Sequence, residues 1–140
     1  MEEHPYLKTV KSVNLYAARS VIQAAQHCAQ EQGWAISVAV VDCSGEIVAL
    51  EKNDDAIGVS ASVALAKAKT AALLQAPSKQ FEDFVNHGSP SFLSTPGVTA
   101  LEGGVPLIVD GQFIGAVGVS GAHGENDSFV AVTAANVLTK

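Results

Sequence analysis

Few side chains in this sequence can carry chemistry, and most of those are histidines and lysines. Four imidazoles are present, His4, His27, His87 and His123, and none stands in an HExxH, HxH or other spacing that alone specifies a metal site. His4 falls near the terminus, where solvation accounts for it. His27 lies on a helical pattern beside Ala25 and Ala29, while His87 and His123 fall in glycine-flanked loops, where binding residues concentrate. His27, His87 and His123 are therefore the candidate metal ligands, each with a plain alternative as a surface or packing residue. Lys67 and Lys69 stand among Val63, Ala64, Leu65, Ala66, Ala71 and Leu73 on a helical pattern. An ammonium in such company must snorkel to water, meet an acidic partner, or line a pocket and pair with a ligand carboxylate. The third feature is Glu102-Gly103-Gly104-Val105-Pro106, a carboxylate joined to a glycine pair that allows close backbone approach, or else only a turn. It is not a phosphate loop, because no Lys-Ser/Thr follows it. No Ser-His-Asp or Cys-His nucleophile arrangement can be picked out by spacing.

The elements that must position these residues follow from periodicity and punctuation. Leu15, Ala18, Ile22, Ala25 and Ala29 recur at helical spacing between Asn14, a good N-cap, and Gly33, a good C′ residue, which predicts a helix over 14–32. Residues 34–41 and 47–50 read as strands joined by Asp42-Cys43-Ser44-Gly45. A second helix spans 60–75 and stops before Pro77; it is apolar nearly all round, so it must be covered on more than one side, with a second subunit as one source of cover. Ser78 is expected to cap a short amphipathic turn carrying Phe81, Phe84 and Val85, followed by an irregular stretch through Thr95-Pro96-Gly97. Residues 105–120 form a hairpin around Asp110-Gly111, and Glu125 and Asp127 open a last helix, where acidic side chains suit the positive end. The expected order is αββααβββα, with antiparallel pairing.

Composition narrows the function classes. One domain fits 140 residues, and 48% hydrophobic content excludes disorder. Size scaling gives a folded surface of roughly 6,800 Å² against about 21,000 Å² unfolded, enough burial to fold without metal or disulfide staples. Charged or polar residues interrupt every apolar run before the ~20 residues of a membrane span. Eight Lys+Arg against fourteen Asp+Glu, net charge -6, disfavour nucleic acid, since the lysines form no basic stripe. The acidic start Met1-Glu2-Glu3-His4-Pro5 is followed by no apolar h-region, so a cytoplasmic location with Cys28 and Cys43 reduced is expected.

Taken in order, several short motifs resemble the GlcG/HbpS family of haem-binding, haem-degrading proteins. They are Gly33-Trp34, Val40-Val41-Asp42-Cys43-Ser44-Gly45, Ala66-Lys67-Ala68-Lys69-Thr70-Ala71, Pro96-Gly97, Leu101-Glu102-Gly103-Gly104-Val105-Pro106, Asp110-Gly111 and Gly115-Ala116-Val117-Gly118-Val119-Ser120-Gly121. Each is weak alone, but their joint order and spacing are specific, and together they span most of residues 14 to 138. The resemblance implies an α/β (α+β) profilin-like sandwich with a five-stranded antiparallel sheet and packed helices. It also implies a homo-oligomer, often an octamer, haem or corrinoid-type tetrapyrrole binding in some members, and a link to glycolate, propanediol or glycerol metabolism. No single axial ligand carries over. Two departures place imidazole on loops: Asn86-His87-Gly88 where relatives often read Asn-Gly-Gly, and His123-Gly124 where they often have Thr-Pro.

The leading expectation is a cytoplasmic haem- or tetrapyrrole-binding accessory protein. Its ligand-binding residues would be Lys69, Lys67, Pro96, Gly97, Glu102, Gly103 and Gly104, with His87, His27 or His123 as haem-iron ligand. Lys69 would point into a pocket between the second helix and residues 96–106. The alternatives are a small-molecule enzyme without tetrapyrrole, using Lys69 or Glu102 as acid or base at a subunit interface, and a structural partner of a diol or glycolate enzyme.

Overall fold

The computed structural model describes residues 4–139. Helix α1 (Leu15–Gln32) starts where the Asn14 side chain accepts the Ala17 N–H at 2.8 Å and ends at Gly33, whose φ of +78° only glycine adopts without strain. Strands β1 (Ser37–Asp42) and β2 (Ile47–Lys52) form the first hairpin. Helix α2 (Ser60–Leu74) and helix α3 (Ser78–Asn86) follow, then a 3-10 turn over Pro90–Ser94. Strands β3 (Gly104–Val109) and β4 (Gln112–Ser120) make the second hairpin, and helix α4 (Gly124–Ala135) runs into a final 3-10 turn, Asn136–Thr139.

The strands form one antiparallel sheet in the order β2-β1-β4-β3, so the strands from the two hairpins meet in the centre, with Ser37 opposite Ser120. Alternation splits their side chains between two cores. Val38, Val40, Val105, Leu107, Val117 and Val119 face α1 and α4, while Ala39, Val41 and Ala116 face α2. The result is a sheet with helices on both sides.

The sheet has four strands among the described residues, not the expected five. In the irregular stretch before β3, two backbone donors go to side chains. Thr99 N–H donates to Thr70 Oγ1 at 2.7 Å and Glu102 N–H to Glu82 Oε1 at 3.3 Å, so neither is free for a strand ladder. Ser78 does not cap α3 through its side chain; Pro77 stands at that position, and the buried Ser78 hydroxyl instead accepts the Gly104 N–H at 2.9 Å.

Helix α2 lies very close to the sheet. Gly104 and Gly118 face each other on β3 and β4, and a Cβ on either would stand 2.1 Å from a backbone oxygen of α2, that of Lys67 or Ala64 respectively. The small side chains of Ala64 and Ala68 complete this contact. An apolar, alanine-rich helix is what such an approach requires, which accounts for one of its faces without a second subunit. Its outer side, with Leu73 and Leu74 exposed, remains open. The chain's accessible surface is 8024 Å², larger than the ~6,800 Å² expected of a compact monomer of this mass.

Candidate functional site

The structure brings some of the nominated residues together and separates others. From α2, Lys67 passes round the end of β3 and β4 and donates to Val119 O at 2.9 Å and to Asp127 Oδ2 of α4 at 2.8 Å. Both side chains are buried, and the other Asp127 oxygen accepts the Ala122 N–H at 2.8 Å. Gly103 lets this happen, since a Cβ there would stand 2.9 Å from the Lys67 ammonium. Next to it, the half-buried Glu102 carboxylate accepts the Ser128 hydroxyl at 2.7 Å. Lys67, Glu102, Gly103 and Gly104 therefore form one cluster, and its ammonium is committed to the fold rather than offered to a ligand.

Lys69 stands about 200° round α2 from Lys67, on the outer side of the helix. It is half-buried, and no carboxylate lies within ion-pair distance among the described residues. One turn further on, Leu73 lies over Gly97, 3.7 Å from where its Cβ would be, so Lys69 shares a helix side with the exposed Pro96-Gly97 turn.

A feature that sequence reasoning missed lies beside this turn. Helix α3 buries Phe81 and leaves Phe84 exposed, and the Pro90–Ser94 turn folds Phe92 back onto both. Phe92 lies nearly parallel to Phe81 (11°, centroids 6.4 Å) and edge-on to Phe84 (73°, 5.6 Å). These rings and Leu74 line an open cleft of about 280 Å³. It adjoins a second hollow of about 380 Å³ that includes Asp83, His87 and Ser89, and the two share Gln80 and Phe84. The available signal was Phe81, Phe84 and Phe92 flanking an Asn-His-Gly turn. On the same helix, Lys79 donates to the Asp83 carboxylate at 3.2 Å, and that hydrogen bond and charge hold its ammonium above the ordinary value of 10.5. A larger hollow of about 650 Å³ lies by Lys8, Lys11, Cys43 and Gln75, with Phe113 its one ring and no imidazole.

The three candidate histidines occupy different settings. His27 is exposed on α1, 3.6 Å from Glu31 one turn on. His123 is exposed at the start of α4, with φ +74°. His87 closes α3, its backbone N–H donating to Asp83 O at 2.8 Å, and is the one of the three that lines the hollow adjoining the aromatic cleft. Among the described residues no group of three or more His, Cys, Asp or Glu side chains could hold a bare ion. This donor set fits a metal whose other ligands come from a macrocycle, since haem iron needs only one or two protein atoms. Cys28 and Cys43 are both free thiols. No helix among the described residues is long and apolar enough to cross a membrane.

The family model described as "Haem degrading protein HbpS-like" matches residues 13–136. Protein GlcG of Escherichia coli K12 is 45% identical over 134 residues, covering 96% of this chain and all of that protein. The corrinoid adenosyltransferase PduO of Salmonella typhimurium is 30% identical over 94% of this chain, a match confined to 40% of the enzyme's length. Among solved structures, a double mutant of HbpS from Streptomyces reticuli superposes with a TM-score of 0.90 at 30% identity, over 100% of this chain and 96% of that one. A PduOC:heme complex superposes with a TM-score of 0.80 at 28% identity, over 92% and 99%.

Proposed function

The chain belongs to the HbpS-like family, and from that premise we propose that it binds haem or a related tetrapyrrole as an accessory protein rather than turning over a substrate of its own. The observation that carries this reading is the donor chemistry: single, separated imidazoles, one of them lining a hollow beside a phenylalanine cleft, on a fold that superposes on a haem complex. A bound haem would supply iron and a large flat apolar surface. The chain's own residues would supply aromatic walls, a nitrogen donor and a cation. Lys69 is the cation we assign to a propionate, next to the Pro96-Gly97 turn; Lys67, Glu102, Gly103 and Gly104 support the site by fixing the end of β3 against α2 and α4.

The reading extends to assembly and context. The large accessible surface and the open outer side of α2 support self-association, and the family resemblance favours an octamer. A cytoplasmic role beside glycolate, propanediol or glycerol metabolism is the setting the same resemblance supports. Titration of the full chain with haemin, followed by its absorption spectrum, tests the function. A saturable shift of the Soret band is expected. Unchanged free-haemin spectra at micromolar protein would overturn the reading in favour of a tetrapyrrole-free enzyme or a structural partner.

A further inference from the structure

Resting on the tetrapyrrole reading, we infer that the macrocycle lies in the trough between α3 and the Pro90–Ser94 turn, and that His87 supplies the axial nitrogen to its iron. The trough is apolar at one end and polar at the other. Phe81, Phe84, Phe92 and Leu74 form the first end; Asp83, His87 and Ser89 form the second. The two hollows, of about 280 and 380 Å³, lie side by side against Gln80 and Phe84, and each is near the lower end of the roughly 300–1,000 Å³ of small-molecule sites. Phe84 is 55% exposed and Phe92 42%, so two aromatic faces are left in water that a flat ligand would cover.

His87 is placed for ligation by the helix that ends on it. Its N–H to Asp83 O bond fixes its backbone in the last turn of α3, while its side chain stays accessible. The nearby Asp83 carboxylate is already engaged by Lys79, so no uncompensated negative charge stands beside His87. Neither His27 nor His123 lines this trough. His87 would hold the iron through a neutral ring nitrogen, taking the place of a water ligand that would be released to solvent.

The test compares haemin with iron-free protoporphyrin IX on the full chain, using absorption and fluorescence. His87 and Phe84 are exposed, and unchanged circular dichroism of their variants verifies the fold. His87→Gly is expected to alter the haemin spectrum and weaken haemin binding about tenfold or more, as loss of a metal-site group does, with little change for iron-free porphyrin. Free imidazole should restore the spectrum. Phe84→Ser should weaken both ligands alike, and His27→Ala neither. A parental haemin spectrum in His87→Gly, or equal binding of both ligands by Phe84→Ser and parent, overturns the site while leaving the tetrapyrrole reading intact. Failure of the parent to bind either porphyrin overturns that reading and the site with it.

Discussion

Lys67 of α2 and Asp127 of α4 meet at 2.8 Å across the end of the sheet, in a place where both side chains are almost fully shielded from water. The pair joins the helical layers on opposite faces of the sheet. Its remaining bonds, to Val119 O and from Ala122 N–H, leave no buried side-chain polar atom without a partner among the described residues.

Breaking this pair on one side is expected to be costly. Lys67→Met leaves Asp127 buried and unpaired and should lower stability by about 3–5 kcal/mol in urea denaturation. Adding Asp127→Asn should recover part of the loss, because the amide oxygen still accepts the Ala122 N–H while the charge is gone. A loss in Lys67→Met below about 1 kcal/mol would contradict the tie, being no more than a surface pair contributes.

The close approach of α2 gives a second expectation. Gly118→Ala places a Cβ 2.1 Å from Ala64 O and 2.5 Å from Ala68 N, so the helix must lift. The cost of such overpacking is typically about 1–3 kcal/mol, and rigid backbone on the far side puts this site at or above the upper end. Gly58→Ala, with nothing within 4 Å, should stay within about 0.5 kcal/mol. Paired thermal melts separate the two.

If Lys69 pairs with a propionate, Lys69→Ala should weaken haemin binding by about 1.5–3 kcal/mol, the range for a hydrogen bond to a charged group. Lys69→Met keeps the stem and loses the charge, and should behave the same way. With haemin dimethyl ester, which lacks the carboxylates, parent and variants should converge. A persistent difference would assign the effect to packing.

Self-association is expected at micromolar concentration. Light scattering should give a species several times 14.4 kDa, and Leu73→Asp, on the open side of α2, should reduce it. A parent species of 14.4 kDa alone would show that the excess surface is simply solvated.

The two thiols should differ in reactivity. Cys28 is buried on α1 and Cys43 half-buried in the β1–β2 turn, so alkylation of the native protein without reductant should label Cys43 first. Denaturation should release Cys28. Failure of both to label until reductant is added would indicate a disulfide.

Local signals carried most of the fold. Asn14, Gly33, Asp110-Gly111 and Pro77 each act within a few residues, and the structure uses each near where spacing predicts. What depended on distant partners was less legible. The ammonium at Lys67 announced that it needed a partner, but Asp127 read as an ordinary helix-start carboxylate, and the two are sixty residues apart. The fifth strand, expected both from the element order and from family likeness, is absent among the described residues, where the side chains of Thr70 and Glu82 take the backbone donors of Thr99 and Glu102. The aromatic trough was half visible: Phe81 and Phe84 were marked as an amphipathic face, but nothing local shows that Phe92 folds back onto them.

The central β1–β4 pairing also bears on how the protein is made. On the ribosome, β1 emerges long before β4, and α2 emerges before Gly104 and Gly118, the surface it rests on. A nascent chain stalled before residue 112 has a hairpin and helices but no central ladder to close them on. Folding is thus deferred until β4 has been made, and the growing polypeptide carries its alanine-rich helix uncovered until then. Chaperone capture and protease sensitivity should accordingly persist while β4 is still inside the exit tunnel and fall sharply once it has emerged.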